Sequence, residues 1–139
     1  MNFAETAEVI AAIQIYDNRK ADEATVKAWH KIIGRFSKED CMDAVVEHYT
    51  NSTDWLMPAH ITGRVKKVRA RRIELAGHPS LNYSDEYDID GQRVSGAKYR
   101  QAELVEGIAN GAITADQYEQ YRAKKIMLES LLAQARPLT

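Results

Sequence analysis

Six of the nine residues from Arg64 to Arg72 are basic (Arg64, Lys66, Lys67, Arg69, Arg71, Arg72), in a chain of 139 residues whose net charge is −1. Residues 60–75 hold one acid, Glu74, against these bases, so nothing close in sequence neutralises them. Such side chains attract phosphates and carboxylates; on nucleic acid they release condensed counterions, which makes binding fall steeply with salt. Two readings stand: residues 60–72 meet an acidic partner, nucleic acid or an acidic protein face, or they form a solvated helix with no partner.

Other constellations fall short of catalysis. The sequence has neither Gly-x-x-x-x-Gly-Lys-Ser/Thr nor Gly-x-Ser-x-Gly, the spacings that cradle a nucleotide's phosphates or expose a nucleophilic serine. His30, His48, His60 and His78 lack the His-Glu-x-x-His spacing of a zinc site, and a lone cysteine, Cys41, cannot build a thiolate one. Glu86, Asp88 and Asp90 before Gly91 mimic the start of a calcium loop, but Ala97 stands where the closing glutamate belongs. Glu47 and His48 are adjacent on a helix and do not face each other, so a structural histidine is preferred to an acid/base pair. No catalytic residue, metal or cofactor is assigned, and the chain is expected not to be an enzyme. Trp29 and Cys41 read as core. Trp55 lies in a loop, where sealing the end of a bundle is preferred to anchoring a partner.

These residues need elements to hold them, and the pattern is all-α: a small N-terminal four-helix bundle, a linker and a C-terminal helical hairpin. A first helix is expected from about Ala4 to Tyr16, with Val9, Ile10, Ile13 and Tyr16 forming a stripe at helical spacing. Asp22 caps a second, carrying Val26, Trp29, Ile33 and Phe36 on one face. Ser37-Lys-Glu-Asp40 resembles a capping box opening a third, about Lys38 to Thr50, with Cys41, Ala44, Val45, His48 and Tyr49 inward. Pro58 suits the first turn of a fourth, where a missing amide costs nothing. On that helix Ile61, Val65, Val68 and Leu75 share a stripe, with Arg64, Lys67 and Arg71 to one side, Lys66 and Arg69 to the other and Arg72 within it. The bases therefore do not form a single groove-reading face.

The domains expected are residues 1–76, an acidic linker over 77–96 in which Asp90-Gly91 suits a small hairpin turn, and a helical hairpin over 97–139. In that hairpin a helix from Ala97 to Ala109 shows Tyr99, Ala102, Val105 and Ile108 on a face and stops at Asn110-Gly111. One last helix runs from the Thr114 cap to about Gln134. Its Tyr118, Tyr121, Leu128, Leu131 and Leu132 either pack on the bundle or present an apolar face to a protein partner. No apolar run approaches the roughly 20 residues that span a bilayer. With one cysteine and an opening Met-Asn-Phe-Ala-Glu, a cytoplasmic location is expected, without membrane association.

Taken in order, Ile13-Gln-Ile-Tyr16, Lys27-Ala-Trp29-His-Lys-Ile-Ile33, Ser37-Lys-Glu-Asp40, Met42-Asp-Ala44-Val45-Val-Glu-His-Tyr49 and Trp55-Leu-Met-Pro58-Ala-His-Ile61 resemble the N-terminal domain of phage helicase loader/inhibitor proteins of Gram-positive hosts. The resemblance covers about residues 8–70 and includes no catalytic signature. It implies a non-enzymatic DNA-replication adaptor in the host cytoplasm: a compact helical domain and a flexible C-terminal part that engages the replicative helicase until an origin-binding initiator takes over. The strong helix start and stop signals after Gly96 depart from that flexible pattern. The alternative is a DNA-binding replication or regulatory protein acting through residues 60–72.

Overall fold

Short polar side chains standing just before the helices accept their first free amides. Asn2 and Glu5 exchange bonds (Glu5 N–H to Asn2 Oδ1 2.8 Å, Asn2 N–H to Glu5 Oε1 3.1 Å) and open α1, Phe3–Tyr16. Asp22 takes the Thr25 amide at 2.8 Å and opens α2, Glu23–Ile33. Ser37 takes the Asp40 amide at 3.2 Å and opens α3, Lys38–Asn51. Each cap satisfies a donor that the helix itself leaves free. Pro58 begins α4, Pro58–Leu75. The computed structural model describes residues 1–136; among these the fold is all-α, with eight helices and no strand.

The chain divides into two compact units, Met1–Val68 and Arg69 onward. The division falls inside α4, earlier than the expected boundary at residue 76. In the first unit Val9, Ile10 and Ile13 of α1 meet Trp29 and Ile33 of α2, Cys41, Ala44 and Val45 of α3, and Ile61 and Val65 of α4. Leu56, in the loop before α4, is fully buried with them. His30 is spent inside this unit: its Nδ1 lies 2.8 Å from Thr6 Oγ1, whose hydroxyl donates to the Asn2 carbonyl.

The second unit adds α5, Tyr83–Glu86, α6, Ala97–Ala109, α7, Ala115–Arg122, and α8, Leu128–Ala135. Two expectations are corrected here. The single last helix is two, because Lys124 takes a left-handed φ of 62° and the Lys124 and Lys125 amides turn back to the Tyr121 and Gln120 carbonyls, the geometry that ends helices at a glycine. Of the expected face of α6 only Ile108 is buried, together with Leu104 and Gly107, whereas Tyr99 is 74% exposed. The packing at Gly107 is close enough to require glycine, since a Cβ there would lie 2.6 Å from the Ile113 side chain and 3.0 Å from that of Ala135.

Residues 77–96 are no free linker in this fold. Leu81 and Asn82 are buried, and side chains from α6 and α7 take the backbone polar groups around them. Ser80 N–H donates to the Tyr118 hydroxyl (3.0 Å), Leu81 N–H to Gln101 Oε1 (2.9 Å) and Asn82 N–H to the Tyr121 hydroxyl (2.8 Å). Gln101 Nε2 donates in turn to the Pro79 carbonyl (2.8 Å), and Arg122 to that of Leu81 (2.9 Å). The expected hairpin is reduced to one antiparallel bridge, Tyr87 with Arg93.

Candidate functional site

The basic run does not act as a block. Arg64, Lys66 and Lys67, in the first unit, are exposed and join no ion pair among the described residues. Arg69 and Arg72 are taken up inside the second unit, which corrects their place among partner-binding bases. Arg69 pairs with Glu106 at 2.6 Å, and Arg72 donates to the Ala109 carbonyl at 3.0 Å with its guanidinium laid against Gly111. Arg71 is exposed and pairs loosely with Glu74 at 3.4 Å.

The proposed partner residues of the last helices are likewise placed inside. Tyr118, Tyr121, Leu128, Leu131 and Leu132 are all buried in the second core, with Leu104 and Ile108. Their spacing suits an apolar face, and the fold uses that face for itself. Burial, followed by the hydrogen bond to Asp85 at 2.6 Å, raises the Tyr121 hydroxyl well above its ordinary pKa, so it is a donor and no base.

Trp55 departs from its expected sealing role, because its neighbour Leu56 fills that place and leaves the indole 56% exposed. One indole face rests on Arg19, whose guanidinium carbon is 4.1 Å from the ring centroid and 5.5 Å from that of buried Trp29. Arg19 is fixed by Asp17 (Nη2 to Oδ2 2.8 Å) and by the Leu56 carbonyl (2.8 Å). The Arg19 hydrogen bond is the largest influence on Asp17; against some opposition from burial, and with help from the Tyr49 hydroxyl, it holds that carboxyl at about 2. Arg19 carried no motif in the sequence. Its only signal was an acid two residues before a base at a helix end.

A second feature appears only when α3 and α4 come together. The two helices bound a groove of about 420 Å³, with Glu47 and His48 on the α3 wall and His60, Gly63, Arg64 and Lys67 on the α4 wall. The imidazoles of His48 and His60 have centroids 4.6 Å apart. His48 Nε2–H donates to the Asp54 carbonyl (2.7 Å), while His60 Nδ1 accepts the Met57 amide (2.8 Å). Glu47 accepts from Asn51 at 2.9 Å, so Glu47 and His48 serve separate partners. Likewise, the Asp88 carboxylate of the calcium-like stretch takes the backbone amides of Asp90 and Gln92, both at 2.9 Å.

Among the described residues no group of three His, Cys, Asp or Glu side chains is arranged to hold a metal ion. No helix among them is long and apolar enough to cross a membrane. Burial, and after it the Asp40 charge, pushes the Cys41 thiol up to about 12, so it is a poor nucleophile. The surface carries a fixed indole with an arginine behind it, and a groove lined by Arg64 and Lys67, which pair with no acid among the described residues. Comparison of the chain with protein families, with curated proteins and with solved structures finds no match.

Proposed function

We propose that this protein is a phage or prophage DNA-replication accessory factor that loads or restrains a replicative helicase by protein–protein contact, without chemistry of its own. The observation that carries the reading is a coincidence of boundaries. The residues bearing the resemblance to helicase loader/inhibitor proteins, about 8–70, map onto the self-contained unit Met1–Val68. The likeness therefore falls on one folding unit with one core, read here as the loader's four-helix bundle.

Contact with the helicase is assigned to the Trp55 face. Tryptophan and arginine dominate binding energy where they are pre-ordered and able to desolvate, and Arg19 beneath Trp55 is already held by Asp17 and Leu56. The work would take place in the host cytoplasm, with an origin-binding initiator as the factor that releases the helicase. The test is co-sedimentation of the full chain with the host's hexameric helicase. A complex, weakened roughly tenfold or more by Trp55→Ala as at other anchor residues, is expected; no complex and no change in unwinding would reject the proposal. The DNA-binding alternative keeps one supporting observation: Arg64, Lys66 and Lys67 are exposed and join no ion pair among the described residues.

A further inference from the structure

We propose that the groove between α3 and the first turns of α4 binds the backbone of a single nucleic-acid strand, independently of the helicase-contact reading. Arg64 and Lys67 stand three residues apart on one helix, which brings their Cβ atoms to about 5–6 Å. Both line the groove, and neither has an ion-pair partner among the described residues. Two neighbouring like charges without a counter-charge repel each other, and a phosphate entering the recess removes that repulsion. Glu47 is the one carboxylate in the lining, on the opposite wall and tied to Asn51, so the formal balance remains positive.

The histidines add ring faces. His60 accepts at Nδ1, so when neutral it carries its proton on Nε2 and offers a donor. Both imidazoles are held by main-chain hydrogen bonds and lie 4.6 Å apart, which pre-orders the exposed His60 ring as a surface on which a base can stack, as bases do on aromatic side chains in strand-binding grooves.

The shape selects a strand over a duplex. Double-stranded DNA is read by an element that projects into its major groove, about 12 Å wide. Here Arg64 and Lys67 line a groove whose volume of about 420 Å³ suits a unit of nucleotide size. Gly63 fits the same account. Glycine within a helix is less favourable than alanine, and a Cβ on Gly63 would meet nothing within 4 Å. Internal packing thus gives no reason for a glycine there, whereas an open groove wall does.

The experiment is fluorescence anisotropy of the full chain with a labelled oligo-thymidine strand across a salt series. Arg64→Gln with Lys67→Gln is expected to weaken binding tenfold or more and to flatten the log–log salt slope by about 1.4, two phosphates' worth on a single strand. Gly63→Leu leaves every charge in place but fills the recess, and is expected to lose binding to a similar degree, with far-UV circular dichroism reporting whether the helices persist. Lys66→Gln, outside the groove lining, is expected to lose less. Equal binding of an oligo-uridine strand would show that the backbone alone is read; a preference for thymidine would assign DNA. Duplex that competes as well as the strand, a folded Gly63→Leu that binds like the parent, or a poly-glutamate peptide that binds where the oligonucleotide does not would each overturn the proposal.

Discussion

The two halves of α4 carry the same kind of side chain to opposite ends. Before the division at Val68, Arg64, Lys66 and Lys67 are exposed and unpaired among the described residues, whereas beyond it Arg69 and Arg72 are tied to Glu106 and to the Ala109 carbonyl. Elsewhere in the second unit arginines act as fasteners too: Arg100 pairs with Glu129, Arg136 with Glu103, and Arg122 donates to Leu81. Charge that a fold needs is matched inside it. Arg64 and Lys67, unmatched among the described residues, line the groove between α3 and α4, and that placement, more than the number of bases, locates the candidate surface.

Removal of Tyr121 would break this contrast most severely. Tyr121→Ala empties a large core side chain and strands the Asn82 amide, at an expected cost of about 3–5 kcal/mol to the second unit. Both tryptophans, Trp29 and Trp55, lie in the first unit. Urea unfolding should therefore show an early loss of helicity by circular dichroism while the tryptophan fluorescence midpoint stays put. If both midpoints moved together, the division at Val68 would not be a division in stability.

Acid should act on the first unit. The Asp17 carboxyl is depressed from 3.8 to about 2, so its ionised form adds about 2 kcal/mol, present above pH 3.8 and lost as pH falls toward 2. Asp17→Asn is expected to lower stability at neutral pH and to remove this part of the acid dependence, followed by tryptophan fluorescence.

The smallest effect sharpens the comparison within one helix. Arg72→Ala leaves the Ala109 carbonyl and the surface of Gly111 uncovered and should cost about 1–3 kcal/mol. Arg64→Ala should fall within about 0.5 kcal/mol of the parent, as exposed substitutions do. Equal losses in thermal unfolding would mean that the two halves of α4 do not differ as described.

Much of the first unit was legible because its signals are local. Asp22, Ser37 and Pro58 stand directly before the helices they begin, and the Val9, Ile10 and Ile13 stripe faces inward as its spacing requires. Asn2 with Glu5 is an equally local signature, a capping box whose partners stand three residues apart. In the second unit the decisive contacts are distant. Nothing near Leu81 and Asn82 reveals that hydroxyls of Tyr118 and Tyr121, almost forty residues on, will take their backbone amides. Nor does Lys124 announce a left-handed stop that glycine usually makes. The candidate groove was hidden for the same reason, since His48 and His60 meet only after the loop between α3 and α4 closes.

Cys41 is the chain's single cysteine, fully buried and with its thiol held in the protonated form. For a chemist this makes the native protein silent toward thiol reagents while it stays folded. A cysteine introduced at exposed Lys66 or at exposed Thr53, near Trp55, would take a dye or spin label alone, with no need to remove a core side chain first. Distances and encounters at either surface could thus be followed in a molecule that differs from the natural one by one residue.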